Sequence, residues 1–298
     1  MDPSGSHPWF SFSPLPGRPQ LEWPDGARVA VSVVLDLRAA EWEGPDNVLL
    51  LPPGGRGKAP SPDIPRMSHR EFGHRVGIFR LFEIMKSLGI RPAVVVDVLT
   101  AEGYGRLVDH LTEDTGEWIA GGLSASRPIT SRMGEDEEAH YIATTQQRLE
   151  ARLGLQPVGW SSPGQTESTG TPLLLARHGI EYVLDWGNDE QPYPMPGAGI
   201  WGFPLSWELT DLRAMFERSV LPRDYGRSIV EAHSTLDAED SGRVLALHLH
   251  PWISGQAFRA GEVEAALAQL RDVQAVWWAT PGEVVAWCRE HRNEGGST

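Results

Sequence analysis

Two histidines in the stretch ALHLHPWISGQAFR (246–259) are the first residues able to do chemistry. His248 and His250 stand two apart in an apolar run, which places both on one face of a β-strand. Pro251 ends the ladder after them, so His250 falls at the strand's C-terminal end and is suited to act as a proton shuttle or substrate contact. His248, deeper in the run, reads as a satisfied core residue. A second focus is RVAVSVVLDL (28–37), whose Asp36 closes another apolar run, with Glu41 five residues on. A charge inside a hydrophobic strand is partnered or functional. Two carboxylates at such an end can bind a metal, share a proton or hold a substrate amide.

The segment TGEWIAGGLSASRPIT (115–130) is informative in the opposite sense. It is a short strand running into a loop, yet Gly121 to Ser126 offers only Gly, Leu, Ser and Ala, none of them a good metal ligand or proton carrier at neutral pH. Two further loops, DWGNDEQPYPM and PLSWELTDLR, carry Asp185, Asp189, Glu190, Tyr193 and Asp211 among aromatic and proline residues. Trp160, Trp186, Trp207 and Trp252, four of twelve tryptophans, fall at or near expected strand ends. They suit either the wall of a pocket for a flat or ring-shaped small molecule or a tryptophan-rich core.

These positions need a frame, and the alternation along the chain supplies one. After 28–37 comes a long Gly/Pro stretch, EGPDNVLLLPPGGRGKAPSPDIPRM, with the length of a functional loop. A helix follows, opened by a Ser68–Glu71 capping box and closed at Gly89. Strands at RPAVVVDVL, EWIAG, QPVGWSS, EYVLDW, GIWGFPLS, RVLALHLH and AVWWA are separated by helices at 101–112, EDEEAHYIATTQQRLEARLG, TPLLLARHG, 222–240 and 261–271. Residues 207–218 carry no clear period. Thr280, Pro281 and Glu283 cap the last helix. Seven or eight strands alternating with helices predict a mainly parallel α/β sheet, rolled at this length into a single-domain β/α barrel. No glycine-rich phosphate loop follows the first strand, which disfavours a nucleotide-binding sheet. Function in such barrels gathers at the C-terminal ends of strands, which selects Asp36, Asp97, Trp160–Ser161, Asp185, Ser206 and His248/His250.

Charge narrows the partners. A net charge of −14 argues against nucleic acid and against anionic membrane surfaces. One cysteine, Cys288, makes no internal disulfide and excludes a cysteine-rich zinc site; it reads as an inert, partly buried thiol. No signal-peptide pattern or membrane span is evident, so the expected location is cytoplasmic. Residues 1–27 form a Pro-rich arm carrying Trp9, Phe10, Phe12 and Trp23, expected to pack on the barrel or on a neighbouring subunit. The expected organisation is the arm, a catalytic barrel over 28–292 and a disordered tail at 293–298.

WPDGARVAVSVVLDL, SHREFGHRVGIFRLFEIMKSLGIRPAV, PVGWSSPG, YVLDWGNDEQPYPM, PLSWELTDL, LHLHPWISGQAFR and VWWATPGEVVAWCRE, in that order, together resemble the polysaccharide deacetylase superfamily. The resemblance spans roughly 20–292 and is greatest to the branch with peptidoglycan-deacetylase-like proteins, cyclic imide hydrolases and allantoinases. It implies a distorted (β/α)7 barrel. Metal-dependent members hold a divalent ion with an Asp after the first strand and a His-x-x-x-His pair after the third. Asp36 matches the first, but Gly121 and Ala125 stand in the register of the pair, and no histidine lies between His110 and His140. An arginine often found before Ser-Pro-Gly is replaced by Ser161. A carboxylate alone holds zinc poorly, so the metal mechanism does not carry over and no cofactor is expected.

The resemblance leaves Asp36, Glu41, Arg75, Trp160, Asp189, Asp211 and His250 matched. The expected enzyme is a metal-independent hydrolase of a C–N bond in a small, ring-shaped amide, imide or ureide. Asp36 and Glu41 would orient the imidazole or activate water, and His250 would protonate the leaving nitrogen. Arg75, Trp160, Ser161, Asp189, Trp207, Asp211 and Trp252 would contact substrate, with the N–H groups of Gly121 and Gly122 as oxyanion donors. The alternatives are a non-hydrolytic cyclase, lyase or isomerase on the same barrel, or a ligand-binding pseudoenzyme. A homo-oligomer is expected.

Overall fold

The computed structural model describes residues 7–42 and 64–292. Its spine is β1 (Val29–Asp36), followed in chain order by β2 (Ala93–Val96), β3 (Glu117–Ala120), β4 (Gly159–Trp160), β5 (Tyr182–Val183), β6 (Tyr193–Met195), β7 (Ile200–Gly202), β8 (Arg243–Leu249) and β9 (Val276–Trp278). The spatial order is β6-β7-β5-β4-β3-β2-β1-β8, with β9 also on β1. Every pairing is parallel except the β6/β7 hairpin, which the sequence pattern did not reveal. The sheet curls into a distorted (β/α)7-type barrel, as expected. Its seam is bridged by Val244 N–H donating to the Glu190 carbonyl at 2.8 Å and by Gln191 Nε2 donating to the Gly242 carbonyl at 2.7 Å.

All eight residues of β1 are buried, which explains its continuous apolar character. β8 covers one edge, while β9 and β2 share the other, against Val29–Val31 and Val34–Asp36 respectively. Ser32 satisfies its buried hydroxyl on the Ala279 carbonyl at 2.7 Å. The register sets Val34 beside His248 and Leu35 beside Leu249, so Asp36 and His250 reach the mouth together.

The helix after the long loop differs from expectation. It runs from Ile64 through a π-type segment (Gly73–Gly77) to Ser87. Ser68 is not its cap: it lies inside the helix and its hydroxyl donates to the Pro65 carbonyl. The Ser-x-x-Glu pattern also fits an exposed helix face, and the longer helix wins by packing on the turn after β8. A side chain at Gly77 would overlap the Pro251 carbonyl oxygen. The unassigned 207–218 stretch contains a second π-type segment, Leu212–Glu217, starting from Asp211. The predicted closing cap is present: Thr280 N–H donates to Glu283 at 2.7 Å, and Glu283 N–H to Thr280 Oγ1 at 3.3 Å.

The arm docks on its own barrel. Leu21 and Trp23 are buried, the Leu21 carbonyl accepts from Gly242 N–H at 2.7 Å, and Trp23 Nε1 donates to the Arg243 carbonyl. Cys288 is fully rather than partly buried, in keeping with an inert thiol. Most of the long Gly/Pro loop, and the expected disordered tail at 293–298, lie outside the described residues.

Candidate active site

At the mouth, β8 delivers His248 and His250 beside Asp36 of β1. His248 Nε2 lies 3.2 Å and His250 Nε2 3.6 Å from Asp36 Oδ2. His248 therefore belongs to the site rather than to an inert core, contrary to the sequence reading; its alternation with His250 was the signal.

His250 is oriented by Asp211. Asp211 Oδ1 accepts from its Nδ1 at 2.7 Å, and Oδ2 accepts from its backbone N–H at 2.7 Å and from Ser254 Oγ at 2.6 Å. Asp211 is fully buried and spent on these bonds, so it positions the imidazole rather than contacting substrate. A proton fixed on Nδ1 leaves the Nε2 lone pair of the neutral ring facing Asp36.

Asp36, beside both imidazoles, is clamped by Arg38, a residue absent from the sequence-based site. Arg38 Nε lies 3.0 and 3.1 Å from the two carboxylate oxygens, Nη2 also donates to Oδ2, and Nη1 donates to the Ser161 and Ser162 carbonyls at 3.2 and 2.8 Å. Both side chains are buried. Burial alone would raise the Asp36 pKa, but the Arg38 charge, helped by His248 and His250, overrides it and holds the carboxyl well below its ordinary value. Burial disfavours the imidazolium form of His248 and lowers its pKa. Position 161, where the resemblance directs attention to an arginine, is serine, and the guanidinium touching this loop comes from Arg38, two residues past the end of β1.

Gly121 makes room for that guanidinium. A side chain there would meet Arg38 Cδ and Val95 Cγ1 at 2.9 Å. Its N–H donates to the Val96 carbonyl at 2.8 Å and is not the oxyanion donor expected. Gly122 adopts φ +83° and accepts from Val98 N–H through its carbonyl.

The other expected residues divide. Trp252 joins the site, its ring 5.9 Å from that of His250, and its buried Nε1 has no hydrogen-bond partner among the described residues. Trp160 is wholly buried and its indole N–H donates to Ser162 Oγ, so it braces the loop instead of facing a ligand. Ser161 contributes its carbonyl to Arg38. Glu41 bridges to the loop after β3, accepting from Arg127 Nε at 2.6 Å and from Ser124 Oγ at 3.1 Å. Asp189 is spent on the arm residue Arg18, at 2.7 Å for each oxygen, and on the N–H groups of Glu190 and Gln191. Arg75 is exposed, 4.0 Å from Glu71, and Trp207 lies under the Arg213 guanidinium; neither is brought to Asp36 and His250. Asp97 is a strut, accepting from the N–H groups of Thr100, Ala39 and Ala125.

A second acidic pair lies behind Arg38. Both oxygens of Asp185 accept from Ser162 N–H, and Glu167 Oε1 accepts from Trp186 Nε1 at 3.0 Å. Burial, then the nearby Asp185 charge, pushes Glu167 up to about 9, whereas burial lifts Asp185 only to about 6 against the lowering pull of Ser162 and Arg38. The pair therefore holds one proton at neutral pH. The ordinary Glu value is 4.5, so between 4.5 and about 9 the folded state binds more protons than the unfolded, and stability falls as pH rises. The melting temperature of Glu167→Gln is expected to decline less than that of the parent between pH 5 and 9. Parallel declines would remove the shared proton.

A divalent ion can be tested against this geometry. One donor atom each from Asp36, His248 and His250 lies within 4.8 Å of the others, a spacing that three-ligand metal sites use. The charge does not fit. Asp36 is already neutralised by Arg38, His248 is disfavoured as a cation but contributes no negative charge, and an ion on Oδ2 would share that oxygen with a guanidinium. With Arg38 in place the site is not built for a dication.

Fold and site together define a distorted β/α barrel with an arginine-clamped carboxylate and a carboxylate-anchored histidine at its mouth. The solved structures it resembles include a protein assigned as a polysaccharide deacetylase from Pseudomonas aeruginosa PAO1 (TM-score 0.82, 22% identity, covering 92% of this chain and 95% of that one). The PuuE allantoinase is similar at TM-score 0.80 and 19% identity over 92% and 95% of the chains. A further relative in fold, assigned as a polysaccharide deacetylase from Mycobacterium smegmatis, has TM-score 0.77 and 22% identity over 92% and 94%. No family model and no curated protein matches the sequence. No helix among the described residues is long and apolar enough to cross a membrane.

Proposed function

We propose that the protein hydrolyses a non-peptide C–N bond in a small amide, cyclic imide or ureide without a metal ion. The observation that carries this reading is the His250 imidazole, anchored through Nδ1 to Asp211 with Nε2 turned toward Asp36 at 3.6 Å. Asp36 itself is a weak base, because Arg38 holds its pKa well below the ordinary value. The proton acceptor in this reading is His250 Nε2, left free by the Nδ1 bond to Asp211. In the proposed cycle its Nε2 takes a proton as water oxygen bonds to the carbonyl carbon. Asp36 and Asp211 stabilise the resulting imidazolium, and the same proton passes to the nitrogen as the C–N bond breaks. Trp252 Nε1–H, buried without an acceptor among the described residues, supplies a donor for the developing oxyanion. The allantoinase and deacetylase names of similar folds support a C–N substrate.

The clamped, weakly basic Asp36 favours one second reading, in which the same histidine shuttles a proton in a cyclase, lyase or isomerase reaction. Mass spectrometry of products from a panel of succinimide, hydantoin, dihydrouracil and allantoin separates the two. Hydrolysis adds one water; isomerisation adds nothing. A tight ligand that quenches tryptophan emission without turnover would leave a pseudoenzyme. We also propose a cytoplasmic location and a homo-oligomer, the latter consistent with the exposure of Leu15 on the arm; sedimentation measures the mass.

A further inference from the structure

We infer that Arg38 is a tethered cation closing a latent metal site, so that withdrawing its guanidinium lets Asp36, His248 and His250 take up one divalent ion of the zinc or cobalt class. Three observations converge on this. The donor atoms of the three residues already lie within 4.8 Å of one another and all three side chains are buried. The Nδ1 bond to Asp211 turns the coordinating lone pair of His250 inward and supplies the carboxylate partner that metal-bound histidines use. The positive charge that Asp36 requires comes from Arg38, whose chain runs through the space beside Gly121 and is fixed at its far end by the Ser161 and Ser162 carbonyls. Guanidinium and dication are therefore alternatives for one carboxylate. In the natural chain the cation is covalently supplied, and the site is indifferent to metal supply and to chelators.

The test reads binding rather than turnover, so it stands apart from the proposed reaction. Full-length protein and Arg38→Met, which keeps much of the side-chain volume, are stripped with a chelator, dialysed and titrated with Zn²⁺ by calorimetry and with Co²⁺ by visible absorption. Arg38→Met is expected to take one equivalent at least about 100-fold more tightly than the parent, with the intense d–d bands of a low-coordinate cobalt site. Adding His248→Ala to Arg38→Met is expected to abolish that binding. Should Arg38→Met lose its fold when stripped, refolding is compared with Zn²⁺ and with chelator, and recovery only with Zn²⁺ supports the inference. A parent protein that binds the ion as tightly as the variant overturns it. So does a variant that takes up none when folded, or that refolds in neither condition.

Discussion

His250→Ala is expected to lower kcat by about 10⁴-fold, the upper range for losing a positioned acid–base group. In the proposed cycle one nitrogen serves both water attack and nitrogen departure, so no second group compensates. The fold should survive, because the Asp211 carboxylate keeps its bonds from the backbone N–H of residue 250 and from Ser254 Oγ. Asp211→Asn is expected to lose on the order of 10²–10⁴-fold through the wrong tautomer. Because Asp211 acts through His250, its loss should fall on kcat and on the pH profile, with little change in KM. Added imidazole should partly restore His250→Ala and leave Asp211→Asn unchanged. Turnover near that of the parent in His250→Ala would remove the histidine from the mechanism.

The second large effect is on stability. Asp36→Ala leaves the Arg38 guanidinium buried without its carboxylate, and breaking such a pair costs about 3–5 kcal/mol. Asp36→Ala combined with Arg38→Met should recover most of that loss, since two apolar groups replace two charges in the same volume. Denaturant unfolding of the two single variants and the double variant measures the coupling. The pH dependence has a definite sign. The folded Asp36 pKa lies below the ordinary 3.8, so its contribution is fully present above 3.8 and is lost as pH falls through the folded value. Arg38→Met removes the main cause opposing burial, so the Asp36 pKa rises and stability of that variant should fall more with rising pH than that of the parent. Additive losses in the double variant would show that the clamp contributes no coupling.

The barrel was legible because its signals are local. Apolar runs closed by Asp36 and His250 announced both strands and their functional ends, and the parallel register then brought the two together. The clamp was not legible. Arg38 follows a strand where an arginine usually faces water, and its burial depends on Gly121 and on carbonyls at 161 and 162, far away in sequence. The small residues of the 121–126 loop read in sequence as an absence of ligands; at Gly121 their physical role is to admit a guanidinium. Asp211 was visible as an acid, but its partnership with a histidine 39 residues on arises only when the segment after β7 folds against the turn after β8. Glu41 and Asp189 stand out by type and position and Arg75 only through the resemblance; type cannot distinguish a catalytic acid from one committed to Arg127 or Arg18. Glu167 sits singly in a polar loop, and only its burial against Asp185 makes it unusual.

The most direct measurement is turnover of the cyclic imide and ureide panel by protein stripped of metal, with metal content determined on the same sample. Full hydrolytic activity in metal-free protein, lost in His250→Ala, is the predicted result. Activity that disappears with the metal and returns in proportion to added Zn²⁺ would contradict the account.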